Sequence, residues 1–375
     1  MVTSITLAGI LIYSGVLIFG ILYFLKQKNL DINKFKSVHY AFLIYIVAFT
    51  FTKLVNSGLD GCFHSFCRTC QDYFVFLWIL LFLSDNEKNK KLLIYSILLA
   101  GVVSIGYGLM QYFHLDLFDR QKYIHRLSGF HKNPYSYGGQ LIVFSFFFLN
   151  YFIANFRGRV LVNLVNVLVL IACVFCILNT FERAVILGFL IGLVFFFLAG
   201  KLDKKKISSL FLVLGLVVLI INFNRKLFKR IKRTIFPQKG AAPNARLKIW
   251  QIAIAIWKRN ILFGVDKFPT IIHEQGGGLK LQVLTHAHNV YLQILVVHGL
   301  LGLLAFLNLI FSFFKVIFNN LKGQYAICLF AIIVSFLVEG IFEYFWGDSE
   351  VRYLLLYFVG FVFGHLKSVN NTVNS

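Results

Sequence analysis

The sequence predicts an all-α fold: a polytopic bundle of about 11–12 transmembrane helices with one large loop outside the membrane. Two compositional observations and one pattern support this class. Of 375 residues, 59% are hydrophobic and 44 are Phe, whereas only 14% are charged. A soluble domain has about a quarter of its residues charged. The apolar residues also form long uninterrupted runs, which leave no polar face for a water-soluble fold.

The apolar runs place roughly eleven spans along the chain, if each helix needs about 20 residues to cross the bilayer. Their ranges are 5–25, 38–55, 71–84, 92–113, 137–154, 160–180, 184–199, 207–223, 291–314, 325–346 and 352–366. The first run follows no basic segment, so we predict no cleavable signal peptide. The spans divide the chain into an N-terminal bundle at 1–223, a large loop at 224–290 and a C-terminal bundle at 291–375.

The formal net charge of +22 resembles that of a nucleic-acid-binding protein. The basic residues, however, lie in short loops between apolar runs, which favours the positive-inside rule and anionic lipid headgroups over nucleic acid. These loops contain Lys26, Lys28, Lys34, Lys36, Lys88, Lys90, Lys91, Arg157, Arg159, Lys201, Lys204, Lys205, Lys206, Lys315 and Lys322. They alternate with the spans as cytoplasmic loops do, so the N-terminus is predicted to face out and the C-terminus in.

The remaining loops are predicted to face outward, and they hold most of the residues suited to chemistry. They are 56–70, 114–135, 180–183, 224–290 and 347–352. The first of these loops contains Cys62, Cys67 and Cys70. An oxidising compartment could pair two of these thiols, and a zinc site is an open alternative.

The large outer loop, 224–290, contains thirteen Lys or Arg residues and two acidic residues. Loops longer than about 60 residues escape the positive-inside rule, so this charge does not contradict the predicted sidedness. Residues 225–233 form a predicted interfacial amphipathic helix whose cations include Arg225 and Arg230. Those cations fit either anionic lipid headgroups or a phosphorylated ligand.

A second helix is predicted at about 245–258, after the start signal given by Pro243 and Asn244. It is apolar nearly all round but too short to span, which is typical of a re-entrant, interfacial or buried segment. Arg246 lies in its first turn, where backbone N–H groups and the helix dipole favour a bound phosphate.

The large loop ends on two histidines, His286 and His288. Histidines two residues apart lie on opposite faces of a helix, so a metal pair requires an extended chain and a third ligand. His273 and Glu274 are the nearest candidates for that ligand. A histidine at the mouth of a span is a better candidate for a general base. We therefore predict a base at His288 and no metal.

Three elements in this order resemble the O-antigen ligase and O-antigen polymerase superfamily. The first comprises Ala-Arg…Trp at 245–250, Phe-Gly-Val at 263–265, His-Asn-x-x-Leu at 288–292 and Gly-Leu-x-Gly at 299–302. The second is Arg-Leu-Ser-Gly-Phe at 126–130 followed by Asn133 and Pro134, and the third is Arg183 at the turn between two spans. The family usually has a small residue before this turn arginine, whereas Glu182 stands here.

The resemblance implies a metal-independent bundle of the GT-C type in a Gram-negative inner membrane, with its active site facing the periplasm. Such an O-antigen ligase of lipopolysaccharide biosynthesis transfers glycan from undecaprenyl pyrophosphate to the lipid A–core oligosaccharide and needs no cofactor. Fixed guanidinium groups can stabilise the pyrophosphate leaving group without a divalent cation.

The resemblance and the residue chemistry together assign roles to individual side chains. His288 is expected to deprotonate or orient the acceptor hydroxyl, and Arg246 and Arg183 are expected to bind the pyrophosphate. A direct in-line displacement would invert the anomeric centre. The residues expected to contact substrate are Arg126, Asn133, Asn289, Arg225 and Arg230.

Two other functions remain open at this stage. An O-antigen polymerase uses the same donor to extend a lipid-linked glycan, and the shared motifs do not separate it from a ligase. A transporter or flippase for a lipid-linked anion would also have many spans, with charged residues inside them. Glu339 and Glu343, one turn apart in the predicted tenth span, favour the transporter.

Overall fold

The computed structural model describes residues 35–83, 87–117, 126–131, 133–155, 160–199, 204–223, 245–266, 268 and 286–373. Within these ranges the chain is helical and has no β-strand, which confirms the all-α class. The described α-helices are α1 Lys36–Phe82, α2 Glu87–Tyr112, α3 Pro134–Asn155, α4 Val160–Asn179, α5 Arg183–Leu198, α6 Lys204–Phe223, α7 Ala245–Arg259, α8 Val290–Phe318, α9 Gln324–Glu339 and α10 Ser349–Val373. A short 3₁₀ helix, Phe345–Gly347, precedes α10.

The apolar helices have the dimensions of a multi-pass membrane protein. Four are long and apolar enough to cross a bilayer, namely Lys36–Phe82, Lys88–Tyr112, Pro134–Ala154 and Val290–Phe318. Three shorter apolar helices, Leu164–Asn179, Arg183–Leu198 and Gln324–Glu339, lie among them. The predicted span at 5–25 falls outside the described residues.

The first described helix, α1, is a hairpin of two antiparallel helices that turns at Gly58. Gly58 has φ 67° and ψ −157°, a backbone conformation that glycine adopts without steric cost. Across the hairpin Phe42 stacks on Phe76 with ring centroids 5.1 Å apart. The prediction of a loop at 56–70 was therefore wrong, because the second helix resumes directly after Gly58.

This correction also changes the setting of the outer cysteines. Cys62, Cys67 and Cys70 lie along one helix as free thiols, so the structure holds no disulfide between them. The described residues likewise contain no metal-ligand group built on these thiols.

Helix α8 is interrupted at Gly299, where φ is 63° and ψ is −166°. The interruption frees backbone groups, and the segment after α7 bonds to them. Leu300 N donates to the carbonyl of Ile261 at 2.8 Å, and Val265 N donates to the carbonyl of Val296 at 2.7 Å. The Phe-Gly-Val and Gly-Leu-x-Gly motifs therefore meet, and together they dock α7 on the first half of α8.

Helices α5 and α9 pack against each other along their length. A Cβ atom at Gly188 would lie 2.6 Å from the backbone oxygen of Ser335, so the two backbones approach as closely as glycine allows. Because the helices run antiparallel, the start of α5 and the end of α9 lie at the same end of the bundle. The helix connections that carry the predicted site residues share this end.

Candidate active site at one end of the bundle

Glu343 lies at the centre of the candidate site, between the two residues predicted with most support. Its Oε2 atom is 2.9 Å from Nδ1 of His288, and its Oε1 atom accepts an ion-paired hydrogen bond from the guanidinium of Arg246. The Glu343 side chain is 5% exposed, whereas His288 is 21% and Arg246 38% exposed. The carboxylate is therefore shielded, while the histidine and the arginine reach solvent.

Helix α7 presents Arg246 to this carboxylate. Arg246 and Trp250 are four residues apart and therefore share a helix face. The indole Nε1 of Trp250 donates to the carbonyl of Ala287 at 3.0 Å, which ties that face to the histidine segment. Behind it, Ile249 and Ala253 are buried against Val296 of α8. The prediction of a short helix at 245–258 is confirmed, and its Ala-Arg…Trp motif has a structural explanation.

The histidine segment is held in a non-helical conformation just before α8. His288 has φ 48°, in the left-handed region that is uncommon for residues with a side chain and often found at functional sites. On one side of it, Ala287 N donates to Oε1 of Gln293 at 2.7 Å. On the other side, Asn289 caps α8 by accepting from Leu292 N at 2.9 Å. These contacts fix the backbone on both sides of His288.

The turn that carries Glu343 follows α9 and is bonded to the start of α8. Val290 N donates to the carbonyl of Gly340 at 2.7 Å, and Nδ2 of Asn289 donates to the carbonyl of Ile341 at 2.9 Å. Helix α9 ends at Glu339. The predicted tenth span, 325–346, was therefore too long, because Glu343 lies in this turn and faces His288. Both polar groups of the Asn289 amide are used in positioning backbone.

A buried ion pair anchors the far end of the same turn. Nε of Arg352 donates to Oδ1 of Asp72 at 2.7 Å, and each side chain is 1% exposed. Arg352 also donates to the carbonyl of Trp346, and Arg68 donates to the carbonyl of Gly347 at 3.1 Å. The turn from Gly340 to Gly347 is thus bonded at both ends, which restricts the position of Glu343 between them.

The electrostatic setting differs among the titratable groups near Glu343. Burial, with the neighbouring His288 and Arg246, lowers the pKa of His286 to about 4, although Glu343 opposes this. Burial and a hydrogen bond with Glu350 raise the pKa of Asp348 to about 7. His286 is therefore a neutral imidazole at neutral pH.

A metal ion could be held by the same group of residues. Among the described residues, one ligand atom each from His286, His288 and Glu343 lie within 4.8 Å of one another. Two imidazoles and a carboxylate are ligands suited to zinc and similar transition metals. The third ligand suggested by the sequence was His273 or Glu274, and both lie outside the described residues.

Arg183 lies at a second connection, the turn between α4 and α5, and Arg126 contacts this turn from the segment before α3. Arg183 is exposed at the first residue of α5 and forms no ion pair with any described residue. The guanidinium of Arg126 pairs with Glu182, and its Nε donates to the carbonyl of Thr180 at 3.2 Å. Glu182, the departure from the family pattern, therefore compensates the charge of Arg126, and Arg126 supports the turn that carries Arg183.

The remaining predicted substrate contacts are Asn133, Arg225 and Arg230. Asn133 is half-buried before α3, and its Nδ2 donates to the hydroxyl of Tyr135 at 3.1 Å. Ser136, in the first turn of α3, donates to the carboxylate of Asp348. Arg225 and Arg230 lie outside the described residues.

Sequence reasoning missed the role of Glu343. The available signal was its position, four residues after Glu339 and three residues after Gly340, where a helix can end. Glu339 itself is fully buried, and neither carboxylate oxygen has a hydrogen-bond partner among the described residues. Burying an ionised carboxylate without a partner is costly, which favours the neutral acid. Glu339 alone therefore gives weak support to a transport path.

Taken together, the apolar helical bundle and its polar end define a multi-pass membrane protein with a candidate active site at the helix connections. Residues 167–307 match the family model described as O-antigen ligase, which confirms the predicted resemblance. The matched segment includes Arg183, Arg246 and His288, whereas Glu343 lies beyond it. No curated protein matches the chain.

Proposed function

We propose that the protein is an O-antigen ligase, a glycosyltransferase that moves glycan from undecaprenyl pyrophosphate to the lipid A–core oligosaccharide. The reaction takes place at the periplasmic face of the inner membrane. The observation that carries the proposal is the arrangement around Glu343, which joins a histidine to an arginine at one end of the bundle. The family match supports the wider class, a ligase-like or polymerase-like glycosyltransferase.

His288 is the proposed base for the acceptor hydroxyl. An ionised carboxylate only accepts hydrogen bonds, so the contact with Glu343 assigns the proton of His288 to Nδ1. The lone pair is then on Nε2, which can take the hydroxyl proton. Glu343 both orients the ring and stabilises the imidazolium that forms. Near pH 7 a positioned imidazole of this kind contributes about 10²–10⁴-fold to the rate.

Arg246 and Arg183 are the proposed partners of the pyrophosphate. The acceptor oxygen forms a bond to the anomeric carbon as the bond from that carbon to the phosphate oxygen breaks, and this single displacement inverts the centre. Negative charge develops on the departing undecaprenyl pyrophosphate. A guanidinium has five N–H donors in a planar fork that suits phosphate oxygens, and the Arg246 side chain is 38% exposed beside His288. The arginines thus supply the charge stabilisation, and the proposed mechanism uses no metal.

The test is glycan transfer by the purified full-length protein in detergent, with lipid-linked donor and lipid A–core acceptor. His288→Ala and Arg246→Ala should each lower kcat/KM by about 100-fold or more. His114→Ala and Arg259→Ala are matched controls, because each removes the same residue type from an exposed position outside the site. They should retain normal transfer, and a chelator should not lower the rate.

Several results would contradict this function. Near-normal transfer by either site variant would remove the proposed roles, and loss of transfer on chelation would remove the metal-free mechanism. A polymerase would be indicated if deletion of the gene left single repeats attached to the core. A ligase deletion leaves the core bare and retains long glycan on undecaprenyl pyrophosphate.

A further inference from the structure

His286 is the member of the site cluster for which the proposed transfer has no use. Its ring centroid lies 4.2 Å from that of His288 and 5.7 Å from that of Tyr344. In a helix, side chains two residues apart would diverge. Here the chain leaves helical geometry, with φ 48° at His288 and an extended Asn289, and this brings both imidazoles to one side.

We propose that His286, His288 and Glu343 form a binding site for Zn²⁺, and that Zn²⁺ bound there inhibits the enzyme. The binding stands on the three side chains alone, whereas the inhibition rests on the proposed function. A bound ion occupies the imidazole and the carboxylate that the proton transfer needs. The site is thus a reversible inhibitory site and not the seat of a catalytic cofactor.

The geometry suits a tetrahedral ion after small side-chain rotations. Zinc binds imidazole nitrogen at about 2.0–2.1 Å and carboxylate oxygen at about 2.0–2.2 Å, which places tetrahedral ligand atoms about 3.3 Å apart. The ligand atoms lie within 4.8 Å of one another, and the His288–Glu343 pair is 2.9 Å apart. Both histidines are partly exposed, so an ion from solvent can reach their rings. Three protein ligands leave one position open for water.

The choice of metal follows from the ligand types. Two nitrogen ligands favour zinc and its transition-metal neighbours, whereas Mg²⁺ and Ca²⁺ prefer sites made of oxygen alone. Arg246 opposes binding, because its guanidinium pairs with the same carboxylate and repels a dication. That competition makes the site weaker than a structural zinc site, so the ion should exchange with chelators.

Binding is tested first, without any activity measurement. The full-length protein is purified in detergent with Cys62, Cys67 and Cys70 replaced by serine, so that thiols do not bind the ion. Zn²⁺ affinity is then measured by competition with a chromophoric chelator. One ion per chain is expected. Loss of a direct ligand in His286→Asn or Glu343→Gln should weaken binding at least as much as loss of an outer-shell partner, which costs about 10–100-fold. His114→Asn is the control, since it removes an exposed histidine elsewhere.

Inhibition is tested second, in the transfer assay. The His286→Asn variant should transfer glycan at the normal rate without Zn²⁺ and should tolerate at least about ten times more Zn²⁺ than the unmodified protein. Mg²⁺ at the same concentration should not inhibit. Equal Zn²⁺ affinity in the His286→Asn and His114→Asn proteins would overturn the site. Zn²⁺ binding that depends on the three ligands in a protein without transfer activity would keep the site and overturn the proposed function.

Discussion

Glu343 connects Arg246 and His288, which lie 97 and 55 residues before it in the sequence. At the residue scale, this connection defines the site. One oxygen of its carboxylate faces His288 and the other faces Arg246. Desolvation strengthens such contacts because the local dielectric constant is low. Because the carboxylate is shielded from water, removal of its negative charge should affect His288 and Arg246 at once.

The first prediction at this scale concerns the charge of Glu343. Glu343→Gln keeps the size of the side chain but removes the negative charge that orients His288 and stabilises its protonated form. We expect kcat to fall by about 100-fold or more, with a smaller change in KM for the donor. Steady-state transfer kinetics measure both constants.

A matched control for this substitution is available at an exposed position outside the site. Asp60→Asn removes an exposed carboxylate near the turn of the α1 hairpin, and it should leave both constants unchanged. If Glu343→Gln transferred glycan as fast as Asp60→Asn, the carboxylate would be a structural residue and not a partner of the base.

The sequence predicted Arg246 and His288 as site residues but did not predict Glu343, and the reason is local. Arg246 and His288 each stand in a motif of several residues, so the sequence alone carries their signal. Glu343 follows an apolar run without a break in hydropathy, so the span predicted from the sequence, 325–346, extended across it. In the structure the helix ends at Glu339, and the carbonyls of Gly340 and Ile341 accept bonds from the start of α8, which are contacts between distant parts of the chain.

At the scale of helices, the packing of α5 on α9 fixes the distance between the two connections of the site. Arg183 begins α5, and the turn with Glu343 follows α9. Close contact between the two helices depends on Gly188, which faces the backbone of Ser335. In a membrane such contacts rely on shape, because lipid is as apolar as the side chains it replaces.

A single methyl group tests this packing. Gly188→Ala would place Cβ 2.6 Å from the Ser335 carbonyl oxygen, which belongs to the backbone and cannot rotate away. We expect a loss of stability of about 1–3 kcal/mol, seen as a lower thermal unfolding midpoint in a fixed detergent. Transfer activity should fall with it, because the two connections move apart.

For Gly106→Ala we expect no loss of stability, in contrast to Gly188→Ala. Gly106 lies inside α2, and a Cβ atom there meets nothing within 4 Å. Alanine in a helix is more stable than glycine by about 0.5–1 kcal/mol, so the midpoint should stay level or rise. Equal midpoints for the two alanine variants would mean that α5 and α9 are less closely packed than in this structure.

At the scale of the whole molecule, the order of the described helices was predictable, and the turns between them were less so. Long apolar runs identify spans because a bilayer imposes a fixed length on each helix. The hairpin turn at Gly58 was missed because Asn56–Cys70 contains polar residues, which resemble a loop when helix contacts are unknown. The end of the bundle that carries the site was predicted from charge alone, and its sidedness stays a prediction.

The last prediction tests that sidedness with the thiols of the protein itself. Cys173, Cys176 and Cys328 are fully buried, whereas Cys62 and Cys67 are partly exposed near the hairpin turn. A membrane-impermeant maleimide should therefore label the unmodified protein in sealed spheroplasts, without prior reduction. Replacement of the three α1 cysteines by serine should abolish this labelling, which is measured as a mass shift.

A cysteine at the opposite end of the bundle completes the experiment. Asn319 is exposed at the C-terminal end of α8, beside the predicted cytoplasmic Lys315 and Lys322. Asn319→Cys in the serine background should react only after the membrane is permeabilised, because the positive-inside rule places that connection in the cytoplasm. Reaction of Asn319→Cys in sealed spheroplasts, with protection of the native thiols, would reverse the sidedness. It would then place His288, Arg246 and Glu343 on the cytoplasmic side, where a periplasmic ligase could not use them.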